Sequence, residues 1–202
     1  MGTCFGLAII ALLATVAVSS LVPEAGGGEE LAGPLNDVTT TMLHFVVVVV
    51  LLTPLQAAGE EYAFRGYITQ VFGGLLSGRW GMVVAVTVPA SLFALSHGAQ
   101  SAPVFIDRFA FGVVAGLLVI LTGGLEAGIA MHVLNNLLAF GLALAYGDMG
   151  ETLNATGGTW WMIPVTLTQS LVFLSLVLWA ARRQGLGTVT QRAVLVGPDS
   201  RV

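Results

Sequence analysis

An all-α, polytopic bundle of about six transmembrane helices is the fold this sequence predicts, and three observations carry that reading. The 202 residues are 56% hydrophobic and only 9% charged, with a mean hydropathy of +0.91, whereas soluble domains carry about 25% charged residues. The apolar residues fall into stretches near the length that crosses a hydrocarbon core, about 20 residues each. Short Gly-rich or acidic segments separate those stretches. Residues 1–184 therefore read as a single membrane-embedded domain, with a disordered cytoplasmic tail at 185–202. A net charge of −4 and the absence of lysine point away from nucleic acid, so the partners expected are the bilayer and a membrane-associated peptide or protein. The single cysteine, Cys4, rules out an internal disulfide and a cysteine-based zinc site.

The first span covers residues 4–22. Ala17-Val18-Ser19 would suit a signal-peptide cleavage site, but no basic residue precedes the apolar run, so a retained helix is expected. Residues 23–37 form a Gly-rich loop with Glu24, Glu29, Glu30 and Asp37. The second span begins near Val38 or Thr41 and runs as one long helix to about Phe72, with a kink at Pro54. Gly73-Gly74 and Ser77-Gly78 then turn the chain. The third span is 80–97, interrupted by Pro89, and the fourth is 105–121. Thr122-Gly123-Gly124 makes the next turn. The fifth span is 125–146 and carries His132, Asn135 and Asn136. A polar loop, 147–158, leads to the sixth span at 159–181, where Trp160 and Trp161 suit an interfacial position.

Arginine placement predicts orientation. Arg79 lies between spans two and three, and Arg182, Arg183, Arg192 and Arg201 follow span six. The loops after spans one and five carry only acids. Six spans with both termini in the cytoplasm satisfy this pattern.

Ionisable residues at bilayer depth are costly and usually face a protein interior or a wet cavity. Glu60, Glu61 and Arg65 follow an apolar run, and two later spans bring His97, then His132 with Asn136. Glu60 lies 13 residues before Gly73, about 20 Å along a helix. His97 lies 17 residues after Trp80, about 26 Å up the neighbouring antiparallel helix. The three groups can therefore meet inside the bundle. Glu61 and Arg65, Phe93 and His97, and His132 and Asn136 are each four apart and share a helix face. Glu60 points about 100° away from Glu61, so one carboxylate can pair with Arg65 while the other stays free. His44 reads as structural or interfacial. Asp107, Arg108 and Glu126 sit at span ends and are expected to face water. Tyr62, Phe64 and Tyr67 are expected to pack. No Gly-x-Ser-Gly, Gly-x-Gly-Asp or His-Glu-x-x-His stretch occurs. A carboxylate, two histidines and an asparagine remain, a set suited to activating water against a carbonyl.

Glu60-Glu61-x-x-x-Arg65, Phe93-x-x-x-His97 and His132-x-x-x-Asn136, in this order, resemble the motifs of the CAAX prenyl protease type II family, also called CPBP or Abi, which includes Rce1-like enzymes. The motif core is 41–146. The resemblance implies an intramembrane endopeptidase in which Glu60 activates water with help from His97. It further implies that His132 and Asn136 form the oxyanion site and that Glu61 and Arg65 support it. The family has been described both as metalloproteases (metalloendopeptidases) and as glutamate-dependent, metal-free proteases. A zinc reading would use Glu60, His97 and His132 with one open position. Asn136, a poor zinc ligand but a good oxyanion donor, favours the metal-free reading. The short chain and arginine-only basic pattern suggest a multi-pass protein of a bacterial cell membrane and argue against prenylated CAAX substrates. The competing function is a non-catalytic immunity or scaffold protein with the polar groups as interhelical glue. A proton relay or transporter is disfavoured because spans one, four and six are nearly devoid of polar residues. A protease requires Glu60, His97 and His132 around a shared wet cavity; glue would leave them pairwise satisfied and closed.

Overall fold

The computed structural model describes residues 1–19, 21, 34–147, 149–153 and 157–188. Among these there are helices and no strand. The elements are α1 (Gly2–Ser19), α2 (Thr40–Glu60), a π-helical segment (Glu61–Ile68), α3 (Thr69–Leu75), α4 (Gly78–Ser96), α5 (Ala102–Thr122), α6 (Glu126–Tyr146), α7 (Met149–Leu153) and α8 (Met162–Gln184). α2, the π segment and α3 form one uninterrupted span of 36 residues, and with α1, α4, α5, α6 and α8 they give six helices long and apolar enough to cross a membrane.

The spans close into a ring. The second span packs against α4, α4 against α5, α5 against α8, α8 against α1, α1 against α6, and α6 back against α2. Sequence neighbours thus pair on one side of the ring, while the first span is inserted between the fifth and the sixth. The inward faces are built from small and aromatic residues: Ala8 and Ala11, Phe93, Val114, Ala115 and Leu118, Ala127 and Met131, and Phe173. The outward faces are long aliphatics such as Val47, Val50, Leu51 and Leu55. Lipid is as apolar as those side chains, so helix association depends on close packing, which small residues permit. Gly112 shows this directly: a Cβ there would lie 2.9 Å from the Cα of Ala90, so α4 and α5 approach only because the position is glycine.

Local signals set the helix ends. The Thr39 hydroxyl accepts a hydrogen bond from the Met42 amide (3.1 Å) and starts α2. Gly123, in the left-handed region at φ 76°, ends α5 where the Thr122-Gly123-Gly124 turn is expected. Other boundaries differ from expectation. The helix runs through Gly73-Gly74 to Leu75 and turns at Leu76-Ser77, because two glycines in apolar surroundings weaken a helix without ending it. Pro89, expected to interrupt the third span, lies inside an unbroken α4. The polar stretch after α6 contains the short α7. Asn36 donates side-chain hydrogen bonds to the carbonyls of Leu144 and Gly147, tying the entry of α2 to the end of α6. Most of the first loop (22–33), Asp148 and the tail from 189 lie outside the described residues.

Candidate active site

Glu61 and Arg65 occupy the π-helical segment, in which the Thr69 amide bonds to the carbonyl of Phe64, five residues back. Such wide turns are uncommon and concentrate at functional sites. The segment packs against α4 and touches α5, which delivers both side chains into the ring. Glu61 is fully buried and Arg65 is 1% exposed. Arg65 Nη1 lies 3.1 Å from Glu61 Oε1, yet Nε, Nη1 and Nη2 lack a well-aligned hydrogen bond. Charge, rather than directed hydrogen bonding, holds this pair. The guanidinium carbon also sits 4.1 Å from the ring centroid of Phe93, a favourable place for a desolvated cation.

His132 of α6 completes this layer. It is 3% exposed, and its Nδ1 lies 3.0 Å from Glu61 Oε1. A carboxylate only accepts, so Nδ1 carries the proton. The edges of Phe93 and Phe111 hold the imidazole, with ring centroids 5.7 and 5.2 Å away. Nε2 then faces Glu60 Oε2 at 3.7 Å. The neighbouring Glu60 is a quarter exposed, and its Oε1 accepts from Gln56 Nε2 at 3.0 Å. Its Oε2 has no hydrogen-bond partner among the described residues. The two carboxylates therefore flank one imidazole, one fully buried against Arg65 and the other a quarter exposed, and each keeps a buried Oε2 without a hydrogen bond.

His97 follows the last residue of α4, and its Nδ1 donates to the Phe93 carbonyl (2.8 Å), which leaves Nε2 to carry the lone pair. The last turn of α4 is braced: Gln100 Nε2 donates to the Ala94 carbonyl (2.6 Å), and Arg108 Nη1 donates to Gln100 Oε1 (2.7 Å). His97, His132 and Asn136 line one cavity of about 390 Å³, together with Gln56 and Asn135. Glu60 reaches its edge through Gln56 and His132.

All six residues expected from the sequence lie in or beside this one region. Among the described residues no group of three His, Cys, Asp or Glu side chains is arranged to hold a metal ion. Asp107 and Arg108, expected to face water, instead line the cavity, because the second turn of α5 lies against it. Tyr62 and Tyr67, expected to pack, are 63% and 72% exposed on the outside of the π segment; Phe64 does pack, edge-on to Phe93. Gln56, four residues before Glu60, was legible by spacing alone. Gln100 and the glycine at 128 were not. A Cβ at Gly128 would lie 2.8 Å from Glu61 Oε2, so α6 meets this carboxylate only through a residue without a side chain.

Residues 41–138 match the family described as type II CAAX prenyl endopeptidase Rce1-like. A protein of Bacillus subtilis (strain 168), described as uncharacterized protein YyaK, is 28% identical over 148 residues, which cover 68% of this chain and 48% of the relative. The chain thus spans about half the length of the curated relative it matches. No solved structure matches. With six helices able to span a membrane, the chain is a multi-pass membrane protein, and its segment 41–138 is similar to the type II CAAX prenyl endopeptidase Rce1-like family, a family of proteases.

Proposed function

We propose that the chain is an intramembrane endopeptidase that hydrolyses a peptide bond of a membrane-associated protein or peptide with water activated by Glu60. The observation that carries this reading is the split between the two adjacent carboxylates. Glu61 is fully buried between Arg65 and His132, while Glu60 is a quarter exposed and places its unpartnered Oε2 beside His132, which lines a cavity of about 390 Å³. A carboxylate held by one hydrogen bond at its far oxygen has a fixed orientation and a free basic oxygen, as a general base needs.

In this reading Glu60 Oε2 takes a proton from water as the water oxygen attacks the scissile carbonyl carbon. The Nε2 lone pair of His97 accepts a hydrogen bond from the same water. The oxyanion formed is held by the Asn136 amide and by His132. With Nδ1–H already given to Glu61, His132 donates through Nε2 when the ring carries both protons. Collapse of the tetrahedral species breaks the C–N bond, and the amine leaves with the proton from Glu60. Arg65 pairs with Glu61, the acceptor that orients His132. No step uses a metal. The scaffold alternative expects the polar groups to be paired off and closed; the unpartnered Glu60 Oε2, the partial exposure of Glu60 and the shared cavity favour catalysis.

The test is cleavage of membrane-anchored reporter peptides by purified protein, wild type against Glu60→Gln, with and without a chelator. Cleavage by the wild type, none by the variant and no chelator effect are expected. Near wild-type cleavage by Glu60→Gln would overturn the assignment and favour the scaffold reading.

A further inference from the structure

The spans alternate in direction, so the bundle has two distinct ends. Gly2, Leu75, Gly78, Thr122, Glu126 and Gln184 mark one; Ser19, Thr40, Ser96, Ala102, Tyr146 and Met162 mark the other. Arg79, Arg182 and Arg183 lie at the first end, and in sequence Arg192 and Arg201 follow α8 there as well. The connections at the second end, 20–39, 97–101 and 147–161, contain no arginine or lysine. Basic residues in short connections stay in the cytoplasm, which assigns the first end to that side.

The cavity belongs to the second end. Its walls come from the second-end turns of α4 and α5, from the middle of α6 between His132 and Phe140, from Gln56 of α2, from Met162 in the first turn of α8, and from Thr152 and Gly157 in the connection above. Gly157 and His97 are exposed at that end. Beneath the cavity the Glu61–Arg65–His132 layer is buried, and below it Leu118, Met131 and Phe173 are at most 1% exposed. A separate cavity of about 320 Å³, lined by Thr3, Cys4, Glu126 and Gln184, opens at the arginine end. This buried core divides the two.

We infer that the site is entered from the non-cytoplasmic face. The inference rests on the proposed peptidase reading only for what enters: polypeptide presented at the outer side of the membrane, such as the exported segment of an anchored protein, rather than a cytoplasmic protein tethered to the inner leaflet. The polar wall at this mouth, Asp107, Arg108 and Gln100, suits the backbone and polar side chains of such a segment better than a lipid chain.

The experiment is cysteine labelling of intact cells with a membrane-impermeant maleimide, in the Cys4→Ser background. Ala99→Cys and Gly157→Cys report the cavity end; Ser77→Cys and Gly187→Cys report the arginine end. All four positions are exposed, and two at each end cover the failure of any single variant to fold. The expected result is labelling of Ala99→Cys and Gly157→Cys in intact cells, with Ser77→Cys and Gly187→Cys labelled only after lysis. The reverse pattern, or equal labelling of both ends in intact cells, overturns the inference. Labelling needs no activity, so its outcome is independent of the peptidase reading, which the Glu60→Gln comparison tests separately.

Discussion

Glu61 is fully buried, its Oε1 shared between Arg65 and His132, while Glu60, one residue earlier, is a quarter exposed and holds a hydrogen bond from Gln56. The boundary between α2 and the π segment falls between them. Two chemically identical side chains are thus given different work by what each meets across the bundle. A buried carboxylate must be neutralised, and once it is, it serves as a fixed acceptor. A carboxylate at the edge of a cavity can remain unpaired and reactive. The comparison predicts that substitutions in the sealed layer act first on folding and those at the rim act on turnover.

The largest effect is expected from Arg65→Ala. Removing one partner of a buried ion pair costs about 3–5 kcal/mol, so folded yield and thermal midpoint in detergent should both fall sharply. Normal stability would mean that the sealed layer tolerates an uncompensated Glu61, and the contrast with Glu60 would collapse. Glu60→Gln should behave in the opposite way, with an unchanged melting curve. Loss of a general base removes roughly 10²–10⁴-fold in rate, measured as turnover of the reporter peptide. Asn136→Ala should lower kcat by roughly 10²–10³-fold, the usual loss of one oxyanion donor, with stability close to wild type. A matching fall in stability would reclassify Asn136 as packing.

Gly128→Ala sharpens the comparison from the other helix. The added methyl would meet Glu61 Oε2 at 2.8 Å, and overpacking of this kind costs about 1–3 kcal/mol; chemical denaturation followed by helix content reads it. The smallest effect is expected at the rim. Gln56→Ala removes the one bond orienting Glu60, and because Gln56 is exposed the loss should appear as a modest drop in kcat with no change in melting temperature. A melting shift as large as that of Gly128→Ala would show that the rim is structural too.

Much of this was legible locally. Apolar length located every span to within a few residues, since crossing a bilayer sets a minimum helix length whatever the neighbours. The spacing of four between Glu61 and Arg65 predicted their pairing, and the orphan status of Glu60 followed from that. Where expectation failed, the missing information was nonlocal. Asp107 and Arg108 are near a helix start, which on sequence alone means water; here the second turn of α5 lies against the cavity. Tyr62 and Tyr67 are aromatic residues in an apolar context, which suggests packing, but the π segment turns them outward. The extension of the second helix through Gly73-Gly74 depended on packing against α4.

The sequence by itself determined the solvent, the number of spans, the charge asymmetry of the two ends and the small set of ionisable groups able to do chemistry. These follow from composition, length and short-range spacing, which physical chemistry reads one segment at a time. Only the tertiary structure decided that α1 lies between α6 and α8, that α6 presents Gly128 to Glu61 Oε2, and that His132 takes Glu61 on Nδ1 and meets Glu60 on Nε2. Residues 71 positions apart form that last bond. Nothing in either segment specifies it until close packing of small residues brings the helices together and leaves a buried carboxylate with two possible partners in reach.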